Sequence, residues 1–113
     1  MHKLAEILPQ FVSELESSFS TSGQEDFAVQ LKEVNVVRYT YDNSCDAVYI
    51  YLESPRPLNV VEENIIGIKH GETIPIEHRY WVNIDTDNFG RLRGIEILIG
   101  SDIAKKLSAF IDS

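Results

Sequence analysis

The spacing of apolar residues changes once along this chain, at Val34, and that change constrains the fold more than any other feature. Before it, Leu4, Ile7, Leu8, Phe11, Val12, Leu15 and Phe19 recur at intervals of three and four, which gathers them on one helical face. After it, β-branched and aromatic residues alternate with a period of two, the pattern of a pleated, half-buried surface. A chain of 113 residues has room for one hydrophobic core. The reading is a single α+β domain: a helical extension over 1–33, a sheet over 34–99 and a C-terminal helix over 101–112.

Pro9 interrupts the first helical stripe, so either the regular helix starts there, where a missing N–H is harmless, or the helix kinks. The serine run from Ser17 to Ser22, closed by Gly23, ends it. Ser22 followed by Glu25 resembles a capping box and predicts a second short helix containing Phe27 and Leu31, against a rival strand reading of Phe27, Val29 and Leu31. Strands are expected at Val34–Tyr41 and Asp46–Glu53, joined through Asp42, Asn43 and Ser44. Beyond the Ser54–Pro57 break, the apolar run Leu58–Ile68 predicts a third strand, Lys69–Glu72 a turn, Ile74–Asp85 a fourth strand and Arg91–Ile99 a fifth. Gly100 and Ser101 then open a helix with Ile103, Leu107, Phe110 and Ile111 as its buried stripe. About five strands joined by short turns predict an antiparallel β-meander flanked by an N-terminal helical segment and a C-terminal helix.

Ten Lys and Arg against eighteen Asp and Glu give a formal net charge of -8, a field that repels phosphate backbones and anionic lipid. No nucleic-acid partner and no membrane are expected. The opening MHKLAEILPQ lacks the apolar core of a secretion signal, and a lone Cys45 forms no disulfide within the chain, which points to the cytoplasm.

Two motifs are distinctive: YTYDNSCDAVYIYL at 39–52, an aspartate turn leading into an apolar-tyrosine strand, and IDTDNFGRLRGIEIL at 84–98. Together they resemble the bacterial family catalogued as Domain of Unknown Function 2283, over residues 39–98. That resemblance implies a compact sheet domain and supplies no catalytic residues. It also implies an antitoxin-like role, and with the acidic charge this gives, as an alternative function, a protein that neutralises a small basic partner. The N-terminal extension and the hairpin around His70–His78 fall outside the resemblance.

Asp85, Asp87, Gly90 and Glu96 match a calcium-loop spacing in part, with Phe89 where an oxygen ligand belongs, so Asp85, Asp87 and Glu96 are weak metal candidates beside a plain polar turn. His70, Glu72, Glu77 and His78 carry nitrogen and oxygen donors without a diagnostic spacing, and solvated histidines at a hairpin tip are the expectation. Cys45 lies between Asp42 and Asp46, whose charge opposes a thiolate. Neither a nucleophile elbow nor a phosphate-cradling loop is present, so no catalytic residue and no cofactor are expected, and an enzyme is the minority reading.

The second face of the sheet is the most informative feature. With Val48, Ile50 and Leu52 inward, alternation sends Tyr49 and Tyr51 to the opposite side, and Trp81 opposes Val82 and Ile84 in the same way. A face open to water normally carries polar residues. Either the N-terminal helix covers this second face, the favoured reading, or Tyr49, Tyr51 and Trp81 form an interface. The functional expectation is a non-enzymatic binding or assembly module that forms a homodimer; a metal-binding or hydrolytic protein is a further alternative.

Overall fold

The computed structural model describes residues 2–111. In chain order the elements are β1 (His2–Lys3), α1 (Leu4–Ile7), α2 (Pro9–Thr21), α3 (Glu25–Glu33), β2 (Asn35–Asp42), β3 (Ala47–Glu53), a π-helical turn (Val61–Ile66), β4 (His70–Ile76), β5 (Val82–Asp87), β6 (Leu92–Leu98) and α4 (Ser101–Ser108). The fold is α+β with a 6-stranded antiparallel sheet, as the change of period at Val34 predicts. The order β1-β2-β3-β6-β5-β4 joins a β2–β3 hairpin to a β4–β5–β6 meander, with the last strand rather than the next one beside β3.

The helices follow local chemistry. Leu8, at φ -127° and ψ 61°, separates α1 from α2, and Pro9 occupies the first turn of α2 where no donor is lost. Leu4, Ile7, Phe11, Val12, Leu15 and Phe19 are buried, the stripe read from their spacing. Residues 25–33 are helical rather than extended, but the Ser22–Glu25 capping box does not form: Ser22 Oγ donates to Phe19 O, and Gln24 precedes the helix without a side-chain cap. Helix α4 likewise starts at Ser101 behind Gly100 with no side-chain cap, and it ends at Ser108, so Phe110 stands half exposed. The last residue assigned to that helix, 112, lies outside the described residues.

The core lies between the helices and one face of the sheet. Register places Val48 opposite Ile97, which faces Val82, and Ile50 opposite Ile95, which faces Ile84. All six are buried, in one cluster with Leu4, Phe11, Leu15 and Phe19 of the N-terminal helices and Ile103 and Leu107 of α4. The N-terminal helices thus cover the Val48–Ile50–Leu52 face, not the Tyr49–Tyr51 face expected for them. The alternation is right, but sequence spacing does not say on which side of a sheet a helix docks.

The third strand expected at Leu58–Ile68 is absent. This stretch forms the long connection containing the π-helical turn, with Val60, Val61, Ile65, Ile66 and Ile68 exposed. An apolar run becomes a strand only with a neighbour to pair with, and β4 takes that place: His70–Ile76, expected to begin with a turn, pairs with β5. The reversal falls at Glu77–Trp81 instead.

Candidate functional site

The face turned away from the helices is laid out in rows by the strand register. One row is Arg38, Tyr51, Gly94, Asp85 and Thr73; the next is Thr40, Tyr49, Glu96, Asn83 and Pro75. Ala47 and Leu98 follow, and Trp81 closes that end, its carbonyl accepting the Leu98 N–H. The structure therefore brings the three interface candidates to one face, with Tyr49 and Tyr51 central and Trp81 at its margin.

The central side chains hold one another in place. Tyr49 and Tyr51 rings pack with centroids 4.7 Å apart, and the Arg38 guanidinium lies 3.8 Å from the Tyr51 ring centre. Tyr49 donates its hydroxyl to Asp85 Oδ2 at 2.6 Å, while Thr73 donates to Asp85 Oδ1 at 2.6 Å. Burial first, and then this bond to a carboxylate, push the Tyr49 hydroxyl well above its ordinary pKa, so it serves as a fixed donor rather than a phenolate nucleophile. Asn83 donates to Glu96 Oε1 at 3.1 Å. Gly94 makes this packing feasible, because a Cβ there would overlap the Tyr49 ring and hydroxyl.

Trp81 is 67% exposed and has φ 56°, a left-handed conformation unfavourable for a bulky residue. It precedes β5 instead of lying within a strand, which corrects the alternation assumed for it. Ile99, at φ 61°, is also exposed nearby in sequence to Leu98. Trp81, Pro75, Ile76, His78, Asn83 and Leu98 line a cleft of about 600 Å³.

The loop carrying Trp81 is tied to α2. His78, with its side chain 5% exposed, accepts the Tyr80 N–H on Nδ1 at 3.1 Å, so its proton sits on Nε2, 3.0 Å from Glu14 Oε1. Arg79 donates to Glu14 Oε2 at 2.6 Å and, with His78, holds the Glu14 carboxyl below its ordinary pKa against the opposing effect of burial. This contradicts the expectation of a solvated His78; His70 is exposed on β4.

The three weak metal candidates do not form a cage. Asp87, with its side chain 2% exposed, accepts the Phe89 and Arg91 N–H groups on Oδ1 and Arg91 Nε on Oδ2, closing the β5–β6 turn. Because Asp87 is taken up by this turn, it does not work as a pair with Asp85, and Asp85 and Glu96 already hold Tyr49, Thr73 and Asn83. Among the described residues no three His, Cys, Asp or Glu side chains gather as a group able to hold a metal ion. Cys45 is exposed in the β2–β3 turn.

Sequence reasoning missed a second polar assembly behind that turn. Gln30, buried on α3, donates to Gly90 O and accepts the Leu92 N–H, while Arg91 reaches Arg56 O and Arg56 binds Asp26 and Glu33. Its members are far apart in sequence, and no motif announces them. They tie the long connection and the β5–β6 turn to α3.

Compared with known protein families, curated proteins and solved structures, the chain matches none.

Proposed function

We propose that this protein is a non-enzymatic binding and assembly module, a homodimer that offers the uncovered face of its sheet to a protein partner. One observation carries the reading: the helices pack on one side, while Tyr49, Tyr51, Trp81 and Leu98 stand on the other with no element of the chain over them among the described residues. Aromatic side chains held by neighbours present large contact area at low entropic cost. Tyr49, Thr73, Asp85, Asn83 and Glu96 of the face are engaged with one another, which suits recognition better than bond-making chemistry. In this reading the protein acts in the cytoplasm, where its exposed Cys45 stays reduced.

Sedimentation equilibrium at high micromolar concentration is expected to give a dimer, and a strict monomer removes the assembly claim. For the face, proteins retained by the wild type from its native cell are compared with those retained by a Tyr51→Ala, Trp81→Ala double variant. Loss of a specific partner supports the surface; unchanged retention counts against it.

A second reading is an antitoxin-like protein that neutralises a small basic partner. It is favoured by the exposed Val60, Val61, Ile65 and Ile66 beside Glu62 and Glu63, an apolar patch with acidic residues in a chain of net charge -8. Recovery of no basic protein from the native cell would exclude it.

A further inference from the structure

The two edges of the sheet are built differently. On the β4 edge, Pro75 has no N–H to offer, and the register shifts between His70 and Thr73, two devices that blunt an edge against another strand. On the other edge, β1 pairs only with Asn35 and Val36. Beyond the irregularity at Val37, Arg38–Asp42 runs in unbroken register against β3, and among the described residues no strand pairs with its outer side. An extended segment in that position has unused main-chain groups along one side.

The side chains of this segment are self-complementary. Laid antiparallel on itself about Thr40, the sequence RYTYD sets Arg38 opposite Asp42 of a second copy, and Asp42 opposite that copy's Arg38. Tyr39 then faces Tyr41, and Thr40 faces Thr40. Arg38 and Asp42 share a face of β2, and neither belongs to an ion pair among the described residues. The Arg38 guanidinium lies over the Tyr51 ring and makes no side-chain hydrogen bond among the described residues, so its N–H groups can meet a carboxylate, while both Ser44 bonds to Asp42 use Oδ1. On the opposite side, a cleft of about 420 Å³ between β2 and α4, lined by Tyr39, Tyr41, Ser101, Ala104, Lys105 and Ser108, gives an incoming ring room.

We propose that two copies join edge to edge through Arg38–Asp42, antiparallel about Thr40, into one continuous sheet. This deepens the homodimer reading and rests on it. Two chains of charge -8 repel on average, so they meet where charges of both signs alternate, and reciprocal Arg38–Asp42 pairs supply that balance. Joining at the edge also leaves both uncovered faces free and places them side by side.

The test is a charge exchange with a crosslink. Arg38→Asp alone and Asp42→Arg alone are each expected to weaken dimerisation by at least about tenfold, because each sets like charges opposite one another. The double exchange restores it, and mixing the two single variants yields a heterodimer, since their charges complement. In a Cys45→Ser background, Thr40→Cys is expected to form a disulfide-linked dimer under mild oxidation, whereas Thr73→Cys on the opposite edge stays monomeric in the gel. If a single exchange fails to fold by circular dichroism, the crosslink decides. A wild-type monomer overturns both the homodimer and the edge; a dimer that ignores the exchanges and gives no Thr40→Cys crosslink overturns the edge alone.

Discussion

The two faces of the sheet carry side chains of similar bulk and use them in opposite ways. On the covered face Val48, Ile50, Ile84, Ile95 and Ile97 are buried under α1–α3 and α4 and have no specific polar partner. On the uncovered face Tyr49, Tyr51, Asp85, Asn83 and Glu96 are half exposed and are fixed by hydrogen bonds, ring packing and a cation over a ring. The first face derives its energy from exclusion of water, the second derives its order from geometry. A face held in one shape without a covering layer is prepared for contact.

The comparison predicts unequal costs. Truncation at the centre of the covered face, Ile95→Ala, is expected to destabilise by ~3 kcal/mol through lost burial and the cavity left behind, measured by urea unfolding. Gly94→Ala, one residue away on the other face, should cost roughly 2 kcal/mol, because the added methyl forces Tyr49 off Asp85. A native-like Tyr49 hydroxyl in that variant would break the account of the face. Tyr49→Phe deletes only the donor to Asp85 and should cost about 1 kcal/mol. The smallest effect is expected at Trp81→Gly: removing an exposed side chain from a left-handed residue should change stability by no more than ~0.5 kcal/mol, since lost contact is offset by relieved strain. A large loss there would mean that Trp81 is part of the core rather than of a contact surface.

How much of this was legible in the sequence depends on whether the determining interaction is local. Helical spacing from Leu4 to Phe19 and alternation through Tyr49–Leu52 and Ile95–Leu98 are local, and helices and strands stand where the spacing puts them. The Leu58–Ile68 run misled because apolar content does not supply a neighbouring strand, and β4 was hidden behind Gly71 and Pro75, residues that an edge strand tolerates. Of the candidate site, Tyr49 and Tyr51 were legible from period two alone. The separate uses of Asp85 and Asp87 were not, since Asp87 closes the β5–β6 turn on Arg91 while Asp85 bonds Tyr49 and Thr73 from other strands. Which face the helices choose was also invisible, being set by the packing of Leu4, Phe11 and Leu15 on Ile50 and Ile95 as one cluster.

That choice of face is the central claim, and proton–proton contacts by nuclear magnetic resonance test it directly. The account predicts that ring protons of Tyr49 and Tyr51 show contacts to each other, to Gly94 and to the Arg38 side chain, whereas methyls of Ile50 and Ile95 show contacts to the helical core residues. Contacts from the Tyr49 or Tyr51 ring to Leu4, Phe11 or Leu15 would contradict it.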